Sequence, residues 1–481
     1  MSDSVERLLG QLLHKGEREW IEFKENNDQP QLIGEYLSAL SNGAALCDQS
    51  HGYLIYGISD DARVVGTKFD PKKAKGKGAE DLEPWLARNL EPRIDFRIIE
   101  HSYKGQKVVV LKVNSARVSP SRFIKQAYVR IGSHKKNIAD YPEKEKALWR
   151  AISQLKFEPG IALAKQSSDD VLKKIDYSGF CDLLDIGLPD NRRAILDLLE
   201  DERLIVEDEE GLHITNMGAL LFAKNLNDFP SLKRKAARVI IYKDESRINA
   251  LKERESSRGY AVDFEELLNW INDQLPSSER IEGAVRQNEK SYPKVAIREF
   301  MANALIHQDF TVNGTGPMIE IFSSRIELTN PGSPLVETLR FIDHPPRSRN
   351  EDLAALMRRM NLCEERGSGV DRALINIELS QLPAPEFIAE KDYTRVTLFA
   401  YRLLKDMDRK DRVRACFQHS VLCWLNKEFM TNTSLRERLG VEKQNYSMVS
   451  RIIKECLEQG LIKVADPENR SNKKKYIPNW C

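Results

Sequence analysis

The chain has no hydrophobic run that approaches the roughly 18 residues needed to cross a membrane, and its start, MSDSVERLLGQLLHKGE, predicts an amphipathic helix, not a signal peptide. Its seven cysteines stand singly, with no C-x-x-C pair or cluster with histidine, which argues against a disulfide framework and a structural zinc site. The formal net charge is only +1, so the whole chain lacks the basic character that indicates nucleic-acid binding. These absences predict a cytoplasmic protein without membrane contact, in which any nucleic acid is bound by local patches.

Of the 481 residues, 41% are hydrophobic and 31% are charged, which is enough for several cores at about 150 residues per domain. The patterns divide the chain into an α+β domain at 1–155, a winged-helix-like connector at 156–234, a second α+β domain at 235–403 and a C-terminal winged helix-turn-helix at 404–481. The expected fold class is therefore α+β and multidomain. The connector's predicted hairpin turn is acidic and would repel a phosphate backbone, which favours a connecting role.

Two basic loops are predicted in the first domain. They contain Lys72, Lys73, Lys75 and Lys77 of KKAKGKG, and Arg130, Lys135 and Lys136 of RIGSHKK. Lysine-rich loops are usually only solvated, but two in one domain raise the expectation of phosphate contact.

The C-terminal segment combines two predicted helices, a turn at Gly440 and a hairpin with a basic tip. In a winged helix-turn-helix, Lys443, Gln444 and Asn445 would begin the recognition helix, and Lys473, Lys474 and Lys475 would reach phosphates. The alternative is a dimerisation or packing module of the same shape.

The stretch GEREWIEFKEN at 16–26 concentrates carboxylates around aromatic residues. Read as a strand, its period of two puts Glu22 and Lys24 on one face. Such a pair is commonly a solvated ion pair, but it could also be half of a metal-dependent phosphodiesterase site. In the same strand, Glu17 would point to the face opposite that of Glu22, so their carboxylates converge only if the chain turns between them.

A second stretch, YPKVAIREFMANALIHQDF, predicts a helix from Tyr292 to Ile306. Glu299, Asn303 and His307 recur at i, i+4 and i+8 and so project from nearly one face. A carboxylate with an amide in this spacing can position water and hold magnesium on nucleotide phosphates. Two glycine elements follow, NPGSP at 330–334 and RGSGVDRA at 366–373, and the second opens a helix whose first amides could bind phosphate.

Together, REFMANALIHQDF, RIELTNPG and ERGSGVDR resemble the divergent ATPase domain of the GHKL superfamily. The resemblance implies a GHKL-like α/β sandwich that binds ATP, with Glu299 as catalytic carboxylate, Asn303 as magnesium ligand, and Gly367 and Gly369 in the lid over the phosphates. Where the superfamily has D-x-G-x-G, this chain has Asn330 and Gly332 and lacks the second glycine. The resemblance therefore implies nucleotide binding with weak or absent hydrolysis.

The first 145 residues resemble the Schlafen AlbA-type domain through GEREWIEFKEN, EYLSALSNGAA, GYLIYGISDD and AYVRIGSHKKNI. The resemblance implies a Mg²⁺ or Mn²⁺ site for cutting tRNA or rRNA, formed by Glu17, Glu22 and Asp60 with Lys24 beside it, and Asp61 is an alternative to Asp60. Crowded carboxylates repel, and a divalent cation relieves that repulsion and can activate water.

Two functional hypotheses follow. One is a metal-dependent endoribonuclease of antiphage or stress defence, gated by nucleotide and guided by a winged helix. The other is a non-catalytic DNA-binding transcriptional regulator with an ATP-sensing domain, in which the first domain only grips nucleic acid. A third possibility is that the nucleotide domain serves as a dimerisation platform, so a homo-oligomer is expected.

Overall fold

The computed structural model describes the chain except residues 1, 27–28, 118, 154–155, 209, 283–284, 365–367 and 467–473, and only the backbone of residues 2–4, 153 and 277–290. The chain forms two compact units. The first unit is Met1–Leu155 with Asp208–Glu210, and the second unit is Lys156–Glu207 with Gly211–Cys481. Helices and mixed sheets occur in both, which confirms the α+β multidomain class.

Apolar runs in the first unit form two small sheets around one long helix. The elements are α1 Ser2–Lys15, β1 Ile21–Lys24, α2 Pro30–Leu46, β2 His51–Tyr56, α3 Leu82–Asn89, β3 Leu90–Glu91, β4 Phe96–Tyr103, β5 Gln106–Asn114, β6 Arg122–Phe123, β7 Gln126–Ile131, β8 His134–Asn137 and α4 Pro142–Ser153. The sheets have the orders β1-β2-β5-β4 and β3-β6-β7-β8. β1 pairs with β2 in parallel, with Glu22 opposite Leu54.

Helix α2 packs against both sheets, on β2 and on β7. It begins at Pro30, which suits the first helical position because its missing N–H has no partner there. A Cβ on Gly43 would lie 2.0 Å from the carbonyl oxygen of Glu19, so only glycine lets the chain before β1 cross the helix this closely. This contact fixes the approach of the segment that carries Glu17 and Glu22.

The second unit begins with helices and a three-stranded sheet of order β10-β11-β9. Its elements are β9 Ile161–Gln166, α5 Ser168–Lys174, α6 Tyr177–Leu183, α7 Arg192–Asp201, β10 Ile205–Asp208, β11 Gly211–Thr215 and α8 Asn216–Phe222. The helices carry side-chain caps at Ser167, Asp176 and Asn191, which satisfy otherwise unpaired N–H groups of the first turn.

A six-stranded sheet of order β13-β12-β16-β17-β19-β18 forms the middle of the second unit. The elements are β12 Arg238–Tyr242, β13 Ala250–Glu255, α9 Tyr260–Gln274, β14 Ser277–Glu282, β15 Val285–Lys290, α10 Lys294–Ile306, β16 Met318–Ile321, β17 Arg325–Pro331, α11 Glu351–Arg359, α12 Gly369–Leu379, β18 Glu386–Ala389 and β19 Tyr393–Phe399. Helix α10 packs on β17, α9 and α12. The helix predicted from Tyr292 is thus present, and it starts after Pro293.

The C-terminal elements are α13 Arg409–Leu425, α14 Asn432–Arg438, α15 Tyr446–Glu458, β20 Ile462–Val464 and β21 Tyr476–Pro478. Helix α14 starts with a capping box between Thr431 and Ser434. Helix α13 packs against α14, α15 and β21. Lys443–Asn445 form a single 3-10 turn before α15, so the residues expected to begin the recognition helix precede it.

Candidate functional site

A cavity of about 660 Å³ lies in the second unit beside α10, the end of β17, and helices α11 and α12. Glu299, Asn303, His307, Asn330 and Gly369 line it, so the i, i+4, i+8 spacing did bring three side chains to one wall. Binding cavities for small molecules and cofactors have volumes of roughly 300–1,000 Å³. The cavity is therefore large enough for a nucleotide.

Glu299 is 6% exposed and packs against the start of α12. A Cβ on Gly369 would lie 2.4 Å from its Oε2, so the absence of a side chain at Gly369 makes room for the carboxylate. Burial raises the pKa of Glu299 and the Glu364 carboxylate raises it further, against the lowering effect of Arg372 and Arg298. Glu299 therefore keeps its proton to a higher pH than an exposed glutamate does.

His307 follows the last residue of α10 and lines the same wall. Burial and the charge of Arg349 lower the pKa of His307 to about 4, so the imidazole is neutral at pH 7. Within the described part of the chain, the amide of Asn303 has no hydrogen-bond partner, which leaves it available to a ligand.

Arg349, which the sequence did not indicate as a site residue, holds the turn after β17 through its side-chain contacts. Gly332 has φ +92°, which favours glycine, and it lies beside the cavity wall formed by Asn330 and Arg349. Arg349 pairs with Asp309 at 2.9 Å and donates to the Ser333 carbonyl at 2.6 Å. No periodic pattern marks Arg349, because its role depends on the fold of a segment between elements.

These donors fit a nucleotide with magnesium. Asn303 offers an amide oxygen of the kind that Mg²⁺ binds, and Asn330 offers an amide to a base. The first N–H groups of a helix such as α12 have no carbonyl partner within the helix, which suits them to bind phosphate. Gly367, the other predicted lid residue, lies outside the described residues.

In the first unit, the chain turns between Glu17 and Glu22, as the carboxylate hypothesis required. Arg18 and Ile21 exchange backbone hydrogen bonds of 3.1 Å in both directions. Glu17 is thereby brought back so that its Oε1 accepts a 3.0 Å hydrogen bond from the backbone N–H of Phe23. The two carboxylates therefore converge despite their opposite parity.

Arg130, on β7, occupies the space between these carboxylates and is 3% exposed. Its Nη2 lies 2.7 Å from Oε2 of Glu22 and 3.1 Å from Oε2 of Glu17. Lys24 Nζ lies 2.5 Å from Oε1 of Glu22, so Glu22 and Lys24 do share a face. Burial raises the pKa of Glu22, with Lys24 and Arg130 acting against that rise.

The predicted metal set of Glu17, Glu22 and Asp60 is not gathered. Asp60 is exposed in the turn after β2, and its alternative Asp61 pairs with Arg63 at 2.6 Å. No group of three or more histidine, cysteine, aspartate or glutamate side chains suited to a metal ion occurs among the described residues. Arg130 and Lys24 are the cations that contact Glu22, and the use of these carboxylates as metal ligands stays a prediction.

The basic side chains of the first unit differ in whether they form ion pairs or remain free to contact a phosphate. Lys72, Lys73 and Lys75 are exposed but pair with Glu100, Asp70 and Asp81 at 3.4, 3.1 and 2.5 Å. Lys77 and Lys136 are exposed and have no ion-pair partner in the described ranges.

The stretch RIGSHKK is a β-hairpin and not a loop, because Arg130 lies in β7 and Lys135 and Lys136 lie in β8. Lys135 forms an ion pair with Glu35, and its ammonium lies 5.1 Å from the ring centre of Tyr36. Arg130 faces the interior. Its assignment to nucleic-acid contact was therefore wrong.

At the C-terminal module, one face of α15 and the turn before it are open to solvent. Lys443, Gln444 and Asn445 are exposed, and Tyr446 and Met448 are 61% and 41% exposed. In the predicted wing, Lys474 and Lys475 are exposed, whereas Lys473 lies outside the described residues.

The chain is similar to two protein families. Residues 17–139 match the Schlafen AlbA_2 family, and residues 314–398 match the family described as "Putative ATP-dependent DNA helicase recG C-terminal". No curated protein matches the chain.

Two solved structures are also similar. The crystal structure of the DIP2311 protein from Corynebacterium diphtheriae is 19% identical, with coverage of 99% of this chain and 96% of that chain and a TM-score of 0.42. The solution structure of the N-terminal domain of a RecG-related protein from Nitrosomonas europaea is 24% identical, with coverage of 28% and 92% and a TM-score of 0.19. None of the described helices is long and apolar enough to span a membrane.

Proposed function

Because the chain joins a Schlafen AlbA_2 domain to an ATPase-like domain of the RecG C-terminal type, we propose that it binds nucleic acid under the control of a nucleotide. The nucleotide is held in the cavity that Glu299 and Asn303 line. The observation that carries the proposal is the convergence of these two side chains with Asn330 and Gly369 on one cavity.

Each residue has a distinct part in holding the nucleotide. Asn303 contributes its amide oxygen to the magnesium ion that accompanies the phosphates, and Asn330 bonds the base. Glu299 keeps its buried carboxyl against Gly369 and so sets the position of the first turn of α12. When bound, the magnesium ion supplies charge neutralisation of the phosphates.

Thermal unfolding in ATP with Mg²⁺ tests the nucleotide site. A ligand at 100 times its dissociation constant stabilises a protein by about 2.7 kcal/mol, so the wild type should show a clear rise in Tm. Asn303→Ala should remove most of that rise. Asn269→Ala, on the exposed side of α9, is the matched control and should keep it. A wild type whose Tm does not change with ATP or ADP contradicts the proposal.

The exposed face of α15 supports nucleic-acid binding by the C-terminal module. Fluorescence anisotropy with duplex DNA and with tRNA tests this interface. Arg451 is exposed on α15, as Lys443 is in the turn before it. The double variant Lys443→Gln and Arg451→Gln should weaken binding and reduce the salt dependence by about two counterions. The control is the double variant Lys233→Gln and Lys243→Gln, at two lysines exposed elsewhere in the second unit. It loses the same charge and should bind with the affinity of the wild type.

The contacts of Arg130 favour the non-catalytic regulator over the endoribonuclease of antiphage or stress defence. Cleavage with Mg²⁺ or Mn²⁺ needs Glu17 and Glu22 free, and both are held by Arg130. Incubation with total tRNA and either ion is the test, with Glu22→Gln as the comparison. Cleavage by the wild type that Glu22→Gln lacks would establish the nuclease and overturn this choice. Self-association stays a prediction, which analytical ultracentrifugation tests.

A further inference from the structure

Half of the charged residues that line the cavity are paired with neighbours of opposite charge. Three of them have ion-pair partners: Arg349 with Asp309 at 2.9 Å, Glu351 with Lys156 at 3.2 Å, and Glu364 with Arg372. The charged lining residues that remain are Glu299, Arg347 and Arg358. Two cations and one buried carboxyl with a raised pKa leave the cavity with excess positive charge, which suits an anionic ligand.

Arg358 is half-buried in the last turn of α11. Within the described ranges its side chain forms no hydrogen bond and no ion pair. Its charge and that of Glu299 both act on the Cys363 thiol, whose pKa burial raises to about 11. Arg358 and Glu299 therefore lie at the same end of the cavity, where α12 begins. A half-buried cation whose side chain has no partner among the described residues carries a desolvation cost that a bound anion would offset.

The next residue, Arg359, shows what a paired arginine on the same helix does. Successive helical residues differ in direction by roughly 100°, and Arg359 points away from the cavity. Its two Nη atoms lie 2.6 and 2.7 Å from the carboxylate oxygens of Glu202. Arg359 thus binds a carboxylate through both of its Nη groups, whereas the guanidinium of Arg358 lines the cavity.

We propose that Arg358 binds the phosphate groups of a nucleoside di- or triphosphate held in this cavity. The inference rests on the proposed nucleotide site and assigns its phosphate end to the last turn of α11, at the end of the cavity where α12 begins. A guanidinium matches phosphate because its N–H groups can make two parallel charge-assisted hydrogen bonds. Specificity for phosphate number would then depend on this residue.

Isothermal titration of the full-length protein with ATP, AMP and adenosine, with Mg²⁺ present, tests the assignment. Arg358→Gln should weaken ATP binding by about ten- to a hundredfold, the effect of losing a hydrogen bond to a charged group. It should change adenosine binding by less than about threefold, since no phosphate is present. Arg359→Gln is the matched control and should bind ATP like the wild type. Thermal unfolding without ligand verifies that Arg358→Gln is folded.

The outcomes separate this assignment from the nucleotide site itself. If the wild type binds ATP and Arg358→Gln binds it equally well, the assignment is wrong and the nucleotide site stands. If Arg358→Gln weakens ATP and adenosine by the same factor, the residue supports the cavity wall and not the phosphates. If the wild type binds none of the three compounds, both are overturned.

Discussion

Arg130 is the residue on which the first unit's charge cluster depends. Its side chain and that of Glu22 are each 1% exposed, and its Nη1 also donates to the backbone carbonyls of Arg18 and Ile21. One guanidinium therefore links the turn before β1 to β7 and pairs with two carboxylates. Removing one member of a buried ion pair is costly because the other charge stays buried without compensation.

We expect Arg130→Met to destabilise the first unit by about 3–5 kcal/mol, the typical cost of breaking a buried pair. Urea unfolding measures the change. Arg63→Met is the control, because the pair of Arg63 with Asp61 is 80% and 51% exposed and such pairs contribute about 0–1 kcal/mol. Adding Glu22→Gln to Arg130→Met should recover part of the loss. Equal, small effects of the two arginine variants would contradict the buried-pair account.

Gly369 permits the contact between Glu299 and α12. Gly369→Ala would place its Cβ 2.4 Å from Glu299 Oε2, so we expect a loss of about 1–3 kcal/mol from overpacking and weaker ATP binding. Thermal unfolding and titration measure both. Gly187→Ala is the control, since a Cβ there would meet no atom within 4 Å. A Gly369→Ala protein as stable as the wild type would show that Glu299 can move aside freely.

Helix α12 connects the cavity with the C-terminal module. It begins at Gly369 beside Glu299, and its last turn carries Glu378, which lies 3.0 Å from His419 Nδ1 on α13 and 3.1 Å from Arg438 Nε on α14. Burial alone would lower the pKa of His419, but the contacts with Cys423 and Glu378 raise it to about 9. The imidazolium thus helps to hold α13 against the end of α12.

This contact makes stability depend on pH. The pKa of His419 in the folded chain, about 9, is above the roughly 6.5 of an unfolded histidine. Its stabilising contribution is therefore fully present below about pH 6.5 and is lost as the pH rises through 9. Unfolding measured from pH 6 to 10 should show this fall, by roughly 3 kcal/mol at most. His419→Gln should flatten that part of the profile, and an unchanged slope in the variant would refute the assignment.

The sequence pattern predicted the helices and strands better than it predicted which groups the charged side chains contact. The spacing of Glu299, Asn303 and His307 was sufficient to place them on one wall, because helix geometry alone decides it. Arg130 was misassigned since its neighbours in sequence are polar, whereas its burial comes from contact with a distant turn. Arg358 was not found, because the packing of α11 determines which of two adjacent arginines faces the cavity.

The larger of the two hydrophobic clusters described in the second unit extends from Val171 to Ile462. It includes Phe300 of α10, Leu374 of α12 and Cys416 of α13. The C-terminal helices therefore share a core with helices that line the cavity. Arg414 and Gln418 also donate to the carbonyls of Ala384 and Pro385 at 3.0 and 2.8 Å. Close-packed interiors transmit displacements of one element to its neighbours.

We therefore expect ATP to change the affinity of the chain for nucleic acid, with α12 as the connection. Coupling between two sites is typically about 5–150-fold and is reciprocal, so nucleic acid should change ATP affinity by the same factor. Glu378→Gln weakens the contacts with His419 and Arg438 without touching the cavity or α15. It should reduce the coupling while each ligand alone still binds, as anisotropy with and without ATP would show. If the wild type binds nucleic acid with the same affinity with and without ATP, the two sites are not coupled through the shared core.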